Sequence, residues 1–191
     1  MKPDFFKVKY FDDFNQLVEE FKSHGENIAI SWFDSEGNKE SRTYAEFVRD
    51  IIGLRNKMLA SGMLEKHVAI LGENSYEWIV AFYAIVSGGG VAVLVDIEQT
   101  DETIRELVVR SDAGYVFASE YLSGICRQLE KSKKIQGLFV MGKEENLKNG
   151  VSMYSLIREG IAMRLQNPGE ILKDQMAAIA CTSGTTSKQK L

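Results

Sequence analysis

The chain is poor in the residues that staple small folds or build metal sites. It has 2 cysteines and 2 histidines in 191 residues. Cys126 and Cys181 are too few for a disulfide framework or a zinc site, and they read as free thiols suited to a reducing cytoplasm. His24 and His67 stand apart from any carboxylate or cysteine pattern, so they read as structural or solvated. Charge of one sign is also missing: 23 basic and 27 acidic residues give a net charge of -4. Without a basic field there is no electrostatic case for nucleic acid or an anionic membrane as partner. Lys131, Lys133 and Lys134 read as a solvated helix end. No internal repeat or low-complexity linker is visible, and the opening MKPDFFKVKYFDDF lacks the apolar run of a secretory signal.

One long uncharged run is present, WIVAFYAIVSGGGVAVLV at 78–95. Its length matches a membrane span, but three adjacent glycines interrupt it and β-branched residues follow. It therefore reads as a buried helix followed by a buried strand. With 45% hydrophobic residues the chain can fill a substantial core.

Periodicity organises the rest. Residues 28–33 form a strand, 34–38 a turn and 39–42 a returning strand, which together make a hairpin. Thr43 and Glu46 form a capping box ahead of a helix that runs until Gly62. Short apolar strands then alternate with helices. The strands are expected at 67–71, 91–96, 115–118, 138–141 and 176–181. Helices are expected at 75–86 (capped by Asn74), 101–110, 120–131 and 153–165, with QNPG at 166–169 breaking the last. The pattern predicts an α/β fold with a mainly parallel sheet and helices on both faces, preceded by a short N-terminal β-hairpin. The chain is read as one unit over 1–191, with the hairpin at 28–42 and the α/β layer at 43–191.

Three glycine-bearing stretches compete as phosphate binders. GLFVMGKE at 137–144 has Walker A spacing, but Glu144 stands where a hydroxyl should hold magnesium and the intervening residues read as strand; no GK[ST] tripeptide occurs anywhere. SGGG at 87–90 follows a helix and precedes a strand, the reverse of a dinucleotide fingerprint, and reads as a helix C-cap. The third stretch, CTSGTTSKQKL at 181–191, follows an apolar strand. Its hydroxyls and backbone N–H groups can surround a polyphosphate, while Lys188 and Lys190 supply positive charge; the alternative is a solvated tail. Trp78, Phe82 and Tyr83 read as helix core, and Glu73 with Asn74 as a capped strand-to-helix turn.

ACTSGTTSKQKL at 180–191 resembles the phosphate-binding signature of the AMP-forming adenylate synthetases, the group of acyl-CoA synthetases, luciferases and peptide-synthetase adenylation domains. The chain from Thr43 to Asp96 is similar in order and spacing to that family's N-terminal subdomain, so the resemblance covers 43–191. It implies that Thr182, Ser183, Gly184, Thr185, Thr186, Lys188 and Lys190 hold the β- and γ-phosphates of ATP while a substrate carboxylate attacks the α-phosphate. It also implies Mg2+ and coenzyme A as cofactor and acceptor, a carboxylic-acid substrate and a fatty-acid–CoA ligase activity. Ser187, Gln189 and Leu191 depart from the usual glycine, proline and glycine, which changes the backbone freedom of the loop's second half. The family's adenine-binding segment, hinge and C-terminal lysine have no counterpart within these 191 residues. The chain alone is therefore expected to be inactive, to expose an apolar face and to self-associate as a dimer. The alternative reading is a non-catalytic binding or assembly module that retains the fold.

Overall fold

A computed structural model describes residues 8–34, 36–142 and 151–181. Its first helix, α1 (Phe14–Phe21), was not expected from the sequence. Asp13 caps it by accepting the Gln16 N–H at 2.8 Å. The hairpin follows as β1 (Ile28–Phe33) and β2 (Lys39–Thr43), antiparallel as expected. Thr43 then starts α2 (Tyr44–Ala60) with the full capping box: its hydroxyl accepts from the Glu46 N–H, and the Glu46 carboxylate accepts from the Thr43 N–H.

The remaining elements are β3 (His67–Leu71), α3 (Tyr76–Ser87), β4 (Ala92–Leu94), α4 (Asp101–Arg110), β5 (Ala113–Ser119), α5 (Ser123–Glu130), β6 (Gly137–Met141), β7 (Val151–Ser152), α6 (Met153–Ala162) and β8 (Ala178–Ala180). Six strands form one sheet in the order β7-β6-β5-β3-β4-β8, and every pairing in it is parallel. The run 137–141 is thus a strand and no phosphate loop, and Gly88 caps the end of α3. Several expected boundaries move: β4 and β8 are shorter than 91–96 and 176–181, β5 is longer than 115–118, and α5 starts at Ser123 instead of 120; two further changes have a visible cause. Asn74 does not cap α3; the Ser75 hydroxyl does, accepting the Trp78 N–H at 3.1 Å, because it is Ser75 that has the extended backbone a cap requires. Helix α6 stops at Ala162 instead of Leu165, because Met163 turns extended and the Gln166 N–H donates to Asn56 Oδ1 on α2 at 3.2 Å.

Strand alternation sorts the core into two clusters, one on each face of the sheet. Val68 and Ile70 of β3, with Phe117 and Phe139, pack under α1, α2, α3 and α6. Ala69 and Leu71, with Val93, Val116 and Ala118, pack under α4 and α5. On the first face α2 and α6 approach closely through Gly53 and Gly160; a Cβ on Gly160 would lie 1.8 Å from the Gly53 carbonyl oxygen. Asn56 Nδ2 donates to that same Gly160 carbonyl at 3.3 Å, and Lys57 pairs with Glu159 at 2.6 Å. His67 accepts its place through a 2.6 Å contact between Nδ1 and the Ser111 carbonyl, a structural role. Both cysteines are buried free thiols. Among the described residues no helix is long and apolar enough to cross a membrane.

Candidate functional site

Since the sheet is parallel, β3, β4, β5, β6 and β8 all release the chain at one edge. At this carboxyl edge the paths diverge. After β3 the chain turns onto the α3 face, whereas after the neighbouring strand β5 it turns onto the α5 face. A divergence between adjacent strands opens a crevice, the usual ligand position in open α/β sheets.

The β3 side of the crevice is built from a short turn. Gly72 passes so close to β5 and β6 that a Cβ there would sit 2.4 Å from Ser119 Oγ and 2.7 Å from Met141 Cε. Glu73 accepts from the Tyr121 hydroxyl beyond β5; desolvation of that oxygen and the Glu73 carboxylate push the Tyr121 pKa up to about 12. Ser75 caps α3. The first two residues of α3 then anchor it to two other helices. Tyr76 donates to Asp50 Oδ2 of α2 at 2.8 Å, and the other oxygen of Asp50 accepts from Arg49 Nε and Nη2 at 3.1 and 3.0 Å. Glu77 accepts from the Tyr154 hydroxyl of α6 at 2.6 Å. Burial first, and the neighbouring carboxylates second, raise both tyrosine pKa values far above the ordinary phenol range. Arg42 of β2 lies 5.7 Å from the Tyr76 ring and 5.5 Å from the Trp32 ring that stacks on it.

Next to β3, on the side away from β5, β4 ends at Leu94 and the chain continues through Val95 to Asp96. Asp96 accepts from the Glu98 N–H and from Gln99 Nε2, each at 2.9 Å; the Gln99 bond foremost holds its carboxyl below the usual range. Strand β8 pairs with β4 in the register Leu94↔Ala180, and the Cys181 N–H donates to the Leu94 carbonyl at 3.1 Å. The chain therefore reaches this edge at Cys181, immediately before the hydroxyl-rich run. Thr182, Ser183, Gly184, Thr185, Thr186, Lys188 and Lys190 themselves lie outside the described residues. Sequence reasoning noticed Glu73 but missed its partner Tyr121. It also missed Asp50 and Tyr154, whose partners are distant in sequence.

Among the described residues no group of three or more His, Cys, Asp or Glu side chains could hold a metal ion. Glu73 and Asp96 lie at this edge, and each is engaged locally, Glu73 by the Tyr121 hydroxyl and Asp96 by Glu98 and Gln99. These described residues do not fit a magnesium site by themselves. A groove of about 240 Å³ lies elsewhere, at the amino edge, between Phe11 and Phe14, the Gly89–Gly90 turn and Leu172 to Met176; Lys173 and Asp12 pair across it at 3.1 Å.

Comparison with known proteins matches residues 17–191 to the AMP-binding enzyme family. The chain belongs to that family, and its fold is that of the N-terminal part of adenylate-forming domains. It is 25% identical over 170 residues to the crotonobetaine/carnitine–CoA ligase of Citrobacter koseri, covering 87% of this chain and 33% of that protein. The anthranilate CoA ligase AuaEII, solved in complex with anthranoyl-AMP, superposes with a TM-score of 0.74 at 14% identity over 99% of this chain and 35% of its own. A long-chain-fatty-acid–CoA ligase from Archaeoglobus fulgidus gives a TM-score of 0.73 at 19% identity, over 96% of this chain and 37% of its own. The chain thus spans about a third of the length of these relatives.

Proposed function

We propose that this chain is the ATP-anchoring N-terminal part of an AMP-forming acid–thiol ligase. The observation that supports the reading is the pairing of β8 with β4, which brings Cys181, the residue before the hydroxyl-rich run in sequence, to the carboxyl edge two strands from β3. In the proposed reaction a substrate carboxylate attacks the α-phosphate of ATP, pyrophosphate leaves, and the acyl-adenylate is captured by coenzyme A. The roles of Thr182, Ser183, Gly184, Thr185 and Thr186 are to donate hydrogen bonds to the β- and γ-phosphates, with Lys188 and Lys190 offsetting charge that grows on the leaving group.

Within this class we propose a long-chain fatty acid as the substrate, on overall sequence similarity, and a cytoplasmic setting. Membership of an enzyme family favours catalytic parentage over a non-catalytic assembly module. The 191 residues alone are proposed to bind nucleotide without forming adenylates. They are also proposed to dimerise through the apolar surface leading into β8, where Leu172 is 58% and Met176 52% exposed.

Titration calorimetry with ATP and Mg2+ tests the reading. We expect measurable binding that Thr185→Ala with Thr186→Ala weakens by about tenfold, the equivalent of one or two lost hydrogen bonds to a charged group. An unchanged affinity in that double variant would refute the assignment. Pyrophosphate exchange is then run with crotonobetaine, aromatic acids and fatty acids. We expect none from this chain, and clear exchange would overturn its proposed inactivity. Light scattering at several concentrations decides the dimer.

A further inference from the structure

We infer that Tyr76 and Tyr154 are positioning residues of the carboxyl-edge crevice, holding the β3–α3 turn in the shape that lines the proposed nucleotide path. The inference rests on the reading of that edge given under Proposed function. It starts from an excess of restraints on one short turn.

A helix start needs one cap, and Ser75 provides it. Apolar burial already holds α3, whose Val80, Ala81, Ala84 and Ile85 are fully buried. Yet the turn carries four further ties. Gly72 is wedged against Ser119 and Met141, Glu73 is bonded to Tyr121, Tyr76 to Asp50, and Glu77 to Tyr154. They come from β5, β6, the segment after β5, α2 and α6, which surround the turn on both faces of the sheet. The two phenol–carboxylate pairs are also adjacent, since Asp50 and Arg42 act electrostatically on Tyr154 as well as on Tyr76.

Pairs of this kind, one buried and one half-buried, are a poor way to gain stability. Withdrawing a carboxylate from water costs several times what a neutral hydrogen bond returns, and apolar side chains of similar volume pack as well. Their return is in geometry: a phenol and a carboxylate meet at one distance and direction, which fixes where the first turn of α3 begins. That first turn follows the central strand of the crevice, two strands from β8 in the order β3-β4-β8, or roughly 10 Å at ordinary strand spacing. An ATP molecule anchored by its phosphates after β8 is long enough to cross such a distance. Supporting residues that lock a turn beside a ligand act on affinity through preorganisation.

The test separates positioning from stability. Tyr76→Phe, Tyr154→Phe and the double variant are compared with Leu129→Ala, which empties a buried position on the opposite face of the sheet. The readouts are ATP affinity by calorimetry, amide hydrogen exchange at Glu73 and Asn74, and Tm. We expect the tyrosine variants to weaken ATP binding by about tenfold and to speed exchange at both amides, the loss expected for one buried hydrogen bond. Leu129→Ala should lower Tm while leaving affinity unchanged. Asp50→Asn retains an acceptor for Tyr76 and should recover most of the affinity. Should a tyrosine variant fail to fold, Glu77→Ala breaks the second pair with both rings still packed and carries the same expectation. Lower Tm with unchanged affinity and exchange in the tyrosine variants would overturn the inference alone. Absence of ATP binding by the unaltered chain would instead bring down the reading it rests on.

Discussion

On one face of the sheet α1, α2 and α3 meet through rings: Phe14, Phe21, Phe47, Tyr76, Phe82 and Tyr83 form a chain of edge and tilted contacts with centroids 5.5 to 6.4 Å apart. On the other face α4 and α5 lie on Ile, Leu, Val, Ala and Cys, with no aromatic side chain in the cluster. The first layer also carries buried polar pairs and a glycine-to-glycine helix contact. Large rings in fixed orientation tolerate few alternative packings, whereas small aliphatic side chains tolerate many. The aromatic layer therefore fixes the elements that bound the crevice. The aliphatic layer mainly covers the sheet.

The sharpest way to break this contrast is Gly160→Ala. A methyl group there meets the Gly53 backbone at 1.8 Å, and backbone cannot swing aside as a side chain could. Helices α2 and α6 must separate, with loss of the Asn56–Gly160 bond and the Lys57–Glu159 pair. We expect a loss of about 3 kcal/mol or more, a fall in Tm of about 10 °C for a chain of this size. Calorimetric unfolding measures it. Gly124→Ala is the matching change in α5, where an added Cβ meets nothing within 4 Å. It should change Tm by less than about 3 °C, or raise it, since alanine favours helix. Equal losses at the two glycines would dissolve the distinction between the layers.

How far the sequence reaches follows the same division. Local signals were readable: the Thr43–Glu46 capping box, β3 at His67–Leu71 and α4 at Asp101–Arg110 all stand where spacing predicts them. Helix α1 carried an equally readable signal, Asp13 followed by Phe14, Leu17, Val18 and Phe21, which the charged opening obscured. Adjacent capable caps were not separable, because Asn74 and Ser75 differ only in which adopts the extended backbone. What periodicity cannot carry is contact between distant segments. Neither the Gly53–Gly160 crossing nor the Tyr76–Asp50 and Tyr154–Glu77 pairs leave a local trace. For the site, a parallel sheet with one carboxyl edge was foreseeable from strand–helix alternation, the strand order was not, and the phosphate-holding residues were named from the terminal motif, outside the described residues.

Alkaline titration separates the layers by a smaller amount. Burial, then the nearby Glu130, raises the Cys126 thiol in α5 from its ordinary 9.0 to about 11. The folded state thus favours the protonated thiol. Its contribution is complete below about pH 9 and is lost as pH rises through about 11. The tyrosines of the aromatic layer are shifted far higher, so their contribution is complete below about pH 10, the ordinary phenol value, and declines above it. We expect stability in urea to decline between these pH values, with Cys126 becoming reactive to a thiol reagent as it does. Cys126→Ala should flatten that part of the profile. A decline between about pH 9 and 10, below the ordinary tyrosine range, that persists unchanged in Cys126→Ala would place its origin elsewhere.

The smallest effect compares two helix starts. Thr43 begins α2 with a reciprocal pair of bonds, at 3.2 Å from the Glu46 N–H to its hydroxyl and 2.9 Å from its own N–H to the Glu46 carboxylate. Thr100 begins α4 with one backbone bond, 3.3 Å from the Thr103 N–H, and two acidic residues in the first turn. Replacing either hydroxyl by alanine removes one acceptor and costs about 1 kcal/mol. At Thr43 the cost should be the larger, because the hydroxyl and Glu46 hold the chain where the hairpin passes into the aromatic layer. At Thr100 the charges of Asp101 and Glu102 still favour the helix start after the hydroxyl is gone. High salt sharpens the comparison: it screens those exposed charges, so the loss in Thr100→Ala should grow toward that in Thr43→Ala. Urea unfolding of both variants at low and high salt measures the difference, and a gap that widens with salt would contradict this account of the two caps.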